Sequence, residues 1–449
     1  MESMTFTEED SRWLSDDVAQ RILAEYAGKP ESPSMISRLR NREGLSIVRC
    51  ALILEQLRVR QRAGARFPKG TAQRMAGTIV GLEQATDAWI AAYKANRLAR
   101  WSHDRPGPVP VKDFCCGIGG DTMALGRLFQ VTGVERDPYT AWAARWNLAP
   151  VAGKFSSRIL RTDVTTVPVR NDEVIHIDPD RRSGGRGRTT YLGAYEPDLK
   201  ILNRMRNGSS RLVMKLAPGS VAPSDWAMSA ELEWISRDRE CRQQLVWGGD
   251  LTEIPGQRRA TVVFPERDVG TGDPEEIPSY RFRTITGRAG IPRYDSTEIS
   301  PTIGEWIVEP DVSVLAADLT GEVAARLHAI PLTPDGAYLT MSPGNETGWS
   351  GLPIRIFERL EILPNDPGRL RSALKAHGIG RLEIKVRCLR GGWTPDRESG
   401  VPGDPQLAIF GRRLKLRGDR EAVLFVLGTA SGGRLTFLAR RIPFPFQGE

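Results

Sequence analysis

Cysteine and histidine are scarce in this 449-residue sequence, which contains five cysteines and four histidines. The cysteines are odd in number and scattered along the chain, so they favour reduced thiols over a disulfide framework. The histidines stand far apart and form none of the closely spaced pairs that hold zinc. The sequence therefore predicts no metal site and no disulfide-stabilised secreted domain.

Long apolar runs are missing as well. No stretch approaches the roughly 20 apolar residues that a membrane-spanning helix needs. The first residues, MESMTFTEED, lack the basic and apolar segments of a secretion signal. These absences predict a cytoplasmic protein that makes no membrane contact.

Basic residues, by contrast, are in excess: 63 Lys and Arg face 55 Asp and Glu, a formal net charge of +8. Two basic stretches lie near the C-terminus, at 369–392 and 411–420, and a third, RRSGGRGR, occupies 181–188. Clustered positive charge indicates contact with phosphate groups and so favours a nucleic acid as partner. Each stretch also fits a solvated surface segment, and the sequence leaves both interpretations open.

The hydrophobic pattern divides the chain into four parts. Residues 1–105 show apolar residues at three- and four-residue spacing, which is typical of amphipathic helices. In 106–266, short apolar runs alternate with helical or loop segments, which predicts a mostly parallel sheet with helices on both faces. Residues 267–334 contain a Gly- and Pro-rich linker followed by a helix. Residues 335–449 mix strands with one helix, as in a small α+β domain.

Two long helices are expected, one over MAGTIVGLEQATDAWIAAYKANRL and one over DVSVLAADLTGEVAARLHAI. The strands predicted for the sheet are Val111–Cys115, Val131–Glu135, Ser157–Arg161, Val174–Asp178, Arg211–Lys215, Arg242–Trp247 and Arg259–Phe264. The last two lie close together in the sequence and could form an antiparallel pair.

The stretch VKDFCCGIGGD at 111–121 places three glycines directly after the first predicted strand. Ligands bind at the carboxyl ends of the strands in such a sheet, and glycines let a cofactor lie against the backbone at the start of a helix. A nicotinamide cofactor is disfavoured because Thr122 stands where the third glycine of G-x-G-x-x-G belongs. A plain tight turn without a ligand is the alternative.

Carboxylates follow the next three predicted strands. Glu135 ends the second strand, where an acid can accept hydrogen bonds from both hydroxyls of a ribose. Asp163 follows the third strand, where a side chain can meet an adenine edge. Asp178 and Pro179 end the fourth strand, where a substrate would enter. Asp178 alone also fits a turn or a helix N-cap.

In order and spacing, these blocks resemble the motifs of class I S-adenosylmethionine-dependent methyltransferases. DFCCGIGGDT is similar to the corresponding stretch of trimethylguanosine synthases, while GLEQATDAW, IDPDRR, KLAPG and GIGRLEIKVR have counterparts in bacterial methyltransferases with a THUMP-like domain. The resemblance spans nearly the whole chain. It implies an α/β fold with a Rossmann-like methyltransferase sheet, an N-terminal helical domain and a C-terminal α+β THUMP-like domain.

The resemblance also implies S-adenosyl-L-methionine as the cofactor and a role for each motif residue. The cofactor-binding residues would be Asp113, Cys115, Gly117, Gly119, Asp121, Glu135 and Asp163. The catalytic residues, facing the methyl acceptor, would be Asp178, Pro179 and Arg181. Family members often carry Ala at the position of Asp180, and related amino-methylating enzymes carry a base-stacking aromatic residue at that of Arg181.

The function implied is methylation of an RNA base at an exocyclic amine, with transfer RNA or ribosomal RNA as the acceptor. The C-terminal domain and the 181–188 stretch would contact the RNA. DNA or protein as the acceptor is one alternative, and a module that binds S-adenosylmethionine and RNA without catalysis is another. Three nearby residues have simpler interpretations: Cys115 and Cys116 as small buried side chains, and His176 as a packed strand histidine.

Overall fold

The computed structural model describes residues 6–104, 109–181, 189–266, 277–288, 303–342, 346–364, 367–388, 416–428 and 433–443. Tertiary contacts divide the chain into two units. The first consists of residues 1–237, 242–256 and 263–281, and the second of residues 238–241, 257–262 and 282–449. Within the described ranges, no helix is long and apolar enough to cross a membrane. The four-part division of the chain remains a prediction from the sequence.

Seven helices are described in the N-terminal part of the first unit. They are α1 (Glu8–Leu14), α2 (Asp17–Tyr26), α3 (Pro33–Asn41), α4 (Ile47–Ala63), α5 (Lys69–Arg74), α6 (Ile79–Gln84) and α7 (Ala88–Ser102). Five of them follow a residue whose side chain accepts a hydrogen bond from the backbone N–H three positions on, namely Thr7, Ser32, Ser46, Thr78 and Asp87. Such caps satisfy N–H groups that a helix leaves unpaired, so they define where these helices begin.

The prediction of one continuous helix over residues 75–98 is wrong. The segment forms α6 and α7, separated by residues 85–87. The helix is interrupted because Asp87 adopts an extended conformation and its carboxylate accepts a hydrogen bond from the N–H of Ile90 at 3.1 Å, which starts a new helix. The break places Thr86 between the two helices, with its side chain directed at the sheet.

Nine strands form the first sheet: β1 (Val111–Phe114), β2 (Val131–Glu135), β3 (Arg158–Arg161), β4 (Val174–Ile177), β5 (Arg211–Leu216), β6 (Glu231–Arg237), β7 (Glu240–Gly249), β8 (Gln257–Pro265) and β9 (Tyr280–Arg288). The helices between them are α8 (Gly120–Gly126), α9 (Pro138–Ala152), α10 (Leu199–Gly208) and α11 (Ser224–Ser229). The strand order is β3-β2-β1-β4-β5-β7-β6-β8-β9.

The first five strands pair in parallel, and β7 runs antiparallel to β5. Strand order reverses between β1 and β4, which is where open parallel sheets bind ligands beyond the carboxyl ends of their strands. Val111, Val131 and Val174 are buried in one cluster with Ile90 and Leu98 of α7. Helix α7 therefore covers one face of this sheet, next to the point of reversal.

The predicted antiparallel pairing of the two strands around 242–247 and 259–264 is also wrong. Strand β6, which is absent from the predicted strands, lies between them in the sheet. The sequence of β6, ELEWISR, does not resemble that of a buried strand because it contains two acids. Both acids, Glu231 and Glu233, are nevertheless fully buried. Arg97 of α7 compensates them, with guanidinium nitrogens 2.7 Å from each carboxylate and its Cζ 4.1 Å from the ring centroid of Trp247.

The second unit contains the strands β10 (Trp306–Pro310), β11 (Ile330–Pro331), β12 (Leu339–Met341), β13 (Ile354–Leu363), β14 (Ile379–Arg387), β15 (Arg420–Gly428) and β16 (Arg434–Arg441). They form a sheet of order β11-β12-β10-β13-β16-β15-β14, antiparallel except for the β14–β15 pair. Three helices accompany it: α12 (Val312–Ala316), α13 (Thr320–Leu327) and α14 (Pro367–Ala376). One long helix was expected where α12 and α13 form.

The described chain is thus an α/β protein with N-terminal helices, a mixed Rossmann-like sheet and a second, mostly antiparallel sheet. In the second unit, stacked rings fill the core: the centroids of Phe425 and Phe437 lie 4.8 Å apart, and Phe357 meets Phe425 edge-on at 5.1 Å. Such ring pairs add to the stabilisation that burial of their area supplies.

We expect Arg97→Met to destabilise the protein strongly, because it removes the guanidinium that pairs with the buried carboxylates of Glu231 and Glu233. Removing one partner of a buried ion pair costs about 3–5 kcal/mol. Urea denaturation followed by tryptophan fluorescence measures the loss. The control is Arg12→Met, which removes the exposed Arg12–Glu8 pair and should leave the unfolding midpoint nearly unchanged. Equal midpoints for the two variants would contradict the structural role given to Arg97.

Candidate active site

A cavity of about 630 Å³ opens at the carboxyl ends of the parallel strands in the first unit. Among the residues that line it are nine of the ten predicted from the sequence: Asp113, Cys115, Gly117, Asp121, Glu135, Asp163, Asp178, Pro179 and Arg181. The tenth, Gly119, immediately precedes α8 in the same loop. The structure therefore brings the predicted residues together at the point where the strand order reverses.

The loop between β1 and α8 is tight because alternate residues adopt the left-handed conformation. Cys115, Gly117 and Gly119 have φ angles of 56°, 56° and 88°. A Cβ at Gly117 would meet no atom within 4 Å, so the backbone there leaves open space in the cavity. A Cβ at Gly120 would lie 2.7 Å from the carbonyl oxygen of Thr86, so glycine is required where the loop packs against the segment between α6 and α7.

Glu135 joins the loops that follow β1 and β2. Its Oε2 accepts a hydrogen bond from the N–H of Gly117 at 3.1 Å, and its Oε1 accepts one from the N–H of Asp137 at 2.9 Å. Burial raises the pKa of the Glu135 carboxyl above its ordinary value of 4.5, against the effect of these hydrogen bonds. The carboxylate is therefore oriented at the cavity wall before any ligand binds.

Asp163 occupies a more exposed part of the wall. Its Oδ1 accepts hydrogen bonds from the hydroxyl and the N–H of Thr165, at 2.6 and 2.8 Å. The hydroxyl contact is the main reason that the pKa of Asp163 lies below its ordinary value. The side chain caps the short turn after β3 and leaves that turn facing the cavity.

Asp113 is almost fully buried and both of its oxygens are engaged by protein groups. Oδ2 accepts from the hydroxyl of Thr122 at 2.5 Å, and Oδ1 lies 2.7 Å from Nδ1 of His176. Because a carboxylate only accepts, the proton of His176 sits on Nδ1, and its Nε2 faces Nζ of Lys94 at 3.3 Å. Asp113 thus links α8 to the neighbouring strand β4, and His176 is the packed strand histidine that the sequence favoured.

Asp121 is held by the N-terminal helices. Its Oδ1 lies 2.6 Å from Nζ of Lys94, a residue of α7 that is 2% exposed, and its Oδ2 accepts from the hydroxyl of Thr86 at 2.7 Å. Burial opposes ionisation of Asp121, but the charges of Lys94 and Lys215 and the hydrogen bond from Lys94 outweigh it and lower the pKa of Asp121.

Asp178 follows β4 and is partly exposed to the cavity. Its N–H donates to the carbonyl of Phe114 at 3.1 Å, which fixes the backbone next to β1. Its Oδ2 lies 2.5 Å from Nζ of Lys215 in β5, which also contacts Oγ1 of Thr86 at 3.1 Å. Side chains from β1, β4, β5, α7 and α8 and from the segments next to them thus form one continuous, largely buried chain of contacts. This ionic chain consists of Asp113, His176, Lys94, Asp121, Thr86, Lys215 and Asp178.

Thr86, Lys94 and Lys215 were not identified as site residues from the sequence. Thr86 and Lys94 lie within or next to the GLEQATDAW motif and Lys215 within KLAPG, so the resemblance contained a signal for them. A lysine in a helix or strand pattern is ordinarily a solvated residue, and its burial depends on partners distant in the chain.

The wall beyond Asp178 comes from residues 179–181 and 195–198. Asp180 and Glu196 exchange backbone hydrogen bonds of 2.8 and 2.9 Å, which ties the two segments together. The buried ring of Tyr195 lines the cavity, and its hydroxyl accepts from the N–H of Ala217 at 3.0 Å. An aromatic ring is therefore present at the cavity although Arg181 replaces the expected one. The predicted contact loop at 182–188 lies outside the described residues.

The cysteines at the site are poor nucleophiles. Burial, reinforced by the charges of neighbouring carboxylates such as Glu135 and Asp113, raises the pKa of both Cys115 and Cys116 well above 9. Both side chains are therefore thiols at neutral pH. All five cysteines of the chain are described and free, as the sequence predicted.

Comparison with known proteins identifies the chemistry. No protein-family model matches the chain. Two uncharacterized S-adenosylmethionine-dependent methyltransferases, from Mycobacterium tuberculosis strains CDC 1551 / Oshkosh and ATCC 25618 / H37Rv, are each 32% identical to it over 358 residues. The match covers 78% of this chain and 84% of each relative.

A crystal structure from Porphyromonas gingivalis W83, provisionally assigned as a methyltransferase, matches with a TM-score of 0.67 and covers 98% of this chain and 100% of its own. At 22% identity this likeness shows the fold alone. The Mycobacterium relatives are similar to this chain in sequence as well. The chain belongs to the S-adenosylmethionine-dependent methyltransferases and is an enzyme that uses this cofactor as its methyl donor.

Proposed function

We propose that this methyltransferase acts on RNA, with transfer or ribosomal RNA as the acceptor, and that it methylates an exocyclic amine of a base. The observation that carries the proposal is that Asp178 lines the same cavity as Gly117 and Glu135. An acceptor bound beside Asp178 would meet a cofactor held by the glycine loop. Catalysis then consists mainly of aligning the two.

The residues around the cavity fit S-adenosylmethionine. The open space above Gly117 accommodates a ligand against the backbone, which any side chain would obstruct. In the proposal, the segment from Asp113 to Asp121 holds the methionine part of the cofactor. Glu135 accepts the ribose hydroxyls with lone pairs that the N–H groups of Gly117 and Asp137 leave available, and Asp163 lies towards the adenine.

When bound, the cofactor supplies a methyl group on a sulfonium, and the electron pair of the broken carbon–sulfur bond remains on sulfur. The chain has to orient the acceptor. An N–H of the amine would donate to Oδ1 of Asp178, which favours the geometry that frees the nitrogen lone pair for the new nitrogen–carbon bond. The proton that the nitrogen loses would pass to Asp178 and then to water. The thiols of Cys115 and Cys116 have raised pKa values and take no part in this proposal.

The proposed RNA contacts rest on charge and on the THUMP-like resemblance of residues 335–449. Arg371 and Lys375 are exposed on α14, four residues apart, and form no ion pair with the described residues. Other cations of the 369–392 stretch are neutralised: Arg381 by Glu421, Lys385 by Glu309 and Arg387 by Asp335. Residues 182–188, 389–392 and 411–415 of the basic stretches lie outside the described residues.

Asp178→Ala should lower methyl transfer by about 100-fold or more and leave cofactor affinity nearly intact, because it removes only the group that orients the acceptor. The assay follows labelled methyl from S-adenosylmethionine into separate pools of transfer RNA, ribosomal RNA, DNA and protein. Calorimetry measures cofactor binding. The control is Asp180→Ala, which changes the next carboxylate of the same motif to the residue common in the family and should retain transfer.

Label in an RNA pool that disappears in Asp178→Ala would support both parts of the proposal. Label only in DNA or protein would refute the RNA acceptor. Unchanged turnover in Asp178→Ala would refute the role of Asp178.

As pH is lowered, cofactor affinity should begin to fall at a higher pH than it would if Glu135 had the ordinary pKa of a glutamate. The raised pKa of Glu135 means that its carboxyl gains a proton above the usual pH of about 4.5, and a protonated carboxyl accepts the ribose hydroxyls less well. Affinity is therefore highest at pH values above this raised pKa and is lost as pH falls through it. Calorimetric titrations from about pH 8 down to about pH 4 test it. The matched variant Glu135→Gln should bind weakly with little pH dependence; the same pH dependence in both would contradict the assignment.

A further inference from the structure

Lys215 is a buried cation that contacts the candidate catalytic carboxylate from the neighbouring strand. It is the penultimate residue of β5, belongs to the KLAPG motif and has a side chain that is 7% exposed. Its Nζ lies 2.5 Å from Oδ2 of Asp178 and 3.1 Å from Oγ1 of Thr86. Nothing in the proposed transfer step assigns this residue a role.

The chemistry of the groups determines the direction of each contact. The Asp121 carboxylate only accepts, so the hydroxyl of Thr86 donates its proton to Oδ2 of Asp121 at 2.7 Å. The same hydroxyl accepts from Lys215, which donates to Asp178 as well. Lys94, at 2.6 Å, already supplies Asp121 with a cation. Lys215 is therefore the cation that compensates Asp178.

The two oxygens of Asp178 have different surroundings. Oδ2 is held by Lys215, whereas Oδ1 has no hydrogen-bond donor among the residues that the structure describes. The side chain is 26% exposed and lines the cavity. One oxygen is thus fixed and the other is available to a bound molecule.

We propose that Lys215 is a positioning residue for Asp178, because by fixing Oδ2 it presents Oδ1 to the methyl acceptor in one orientation. The proposal rests on the proposed role of Asp178 and specifies its substrate class. A carboxylate paired with a lysine accepts hydrogen bonds but has none to donate. The acceptor group it orients therefore carries a proton, as an N–H or O–H does, which disfavours a carbon atom or an unprotonated ring nitrogen.

A merely structural lysine provides the control. Lys112 in β1 has its Nζ 2.6 Å from Glu173, and both side chains are largely buried, yet neither residue lines the cavity. Lys112→Met removes a comparable ion pair from the same sheet. It should lower stability without changing the rate of transfer per folded molecule.

The experiment compares Lys215→Met, Lys215→Arg, Asp178→Ala, the double variant Lys215→Met/Asp178→Ala and Lys112→Met. Transfer is measured into whichever of the RNA, DNA and protein pools the unchanged protein labels, at varied acceptor concentration. Misplacement of a reacting group by about 1 Å can cost about 100-fold in rate. Lys215→Met should therefore lower kcat by up to about 100-fold at unchanged cofactor affinity, and Lys215→Arg should recover most of the loss.

The double variant should be no slower than Asp178→Ala alone, because Lys215 acts through Asp178. Multiplicative losses in the double variant, or cofactor affinity that falls as far as transfer does, would overturn the positioning role. Label from the unchanged protein in none of the pools would refute the proposed function. In that case, a crystal structure of Lys215→Met tests the positioning role by itself. An Asp178 carboxylate displaced from its position in the unchanged protein would support that role, and an unmoved carboxylate would overturn it.

Discussion

The ionic chain from Asp113 to Asp178 is the constraint on which the architecture of the site depends. Buried charged groups such as Asp113, Lys94 and Asp121 are tolerated only when each has partners, and removing one member leaves another uncompensated. Two lysines and a histidine here satisfy three aspartates, with Thr86 as a relay. These contacts link the ends of β1, β4 and β5 and the start of α8 to α7 and to the segment that precedes it.

Much of the first sheet could be predicted from the sequence. Strands β1 to β5 form within one residue of their predicted bounds. Central parallel strands such as β4 are buried on both faces and therefore leave short apolar runs in the sequence. Strand β6 could not be predicted in the same way. Glu231 and Glu233 are buried with partners that include Arg97, more than a hundred residues earlier in the chain, and no local pattern in the sequence indicates such a partner.

In the candidate site, too, local sequence predicts some features, whereas others depend on residues distant in the chain. Glycines and acids at strand ends identify a cavity, since topology alone brings those ends together. The contacts of each acid, however, depend on residues that only the tertiary structure brings close to it. Asp113 faces Thr122 and His176, and Asp121 faces Lys94, although both were expected simply to line the cofactor. The break before α7 could not be predicted because Thr and Asp are tolerated within a helical pattern. The sequence therefore did not indicate that Thr86 lies between two helices.

The packing of Gly120 against the segment between α6 and α7 bears on how such a chain can evolve. A methyl group at that glycine would fall 2.7 Å from the Thr86 carbonyl oxygen, and Thr78, Gly81 and Gln84 of the same helical layer help to enclose the cavity. The helical layer is thus no interchangeable module added to a finished catalytic sheet. Recombination between distant homologues at the boundary near residue 105 would separate Thr86 and Lys94 from their carboxylates, so both sides of that boundary are constrained to be inherited together.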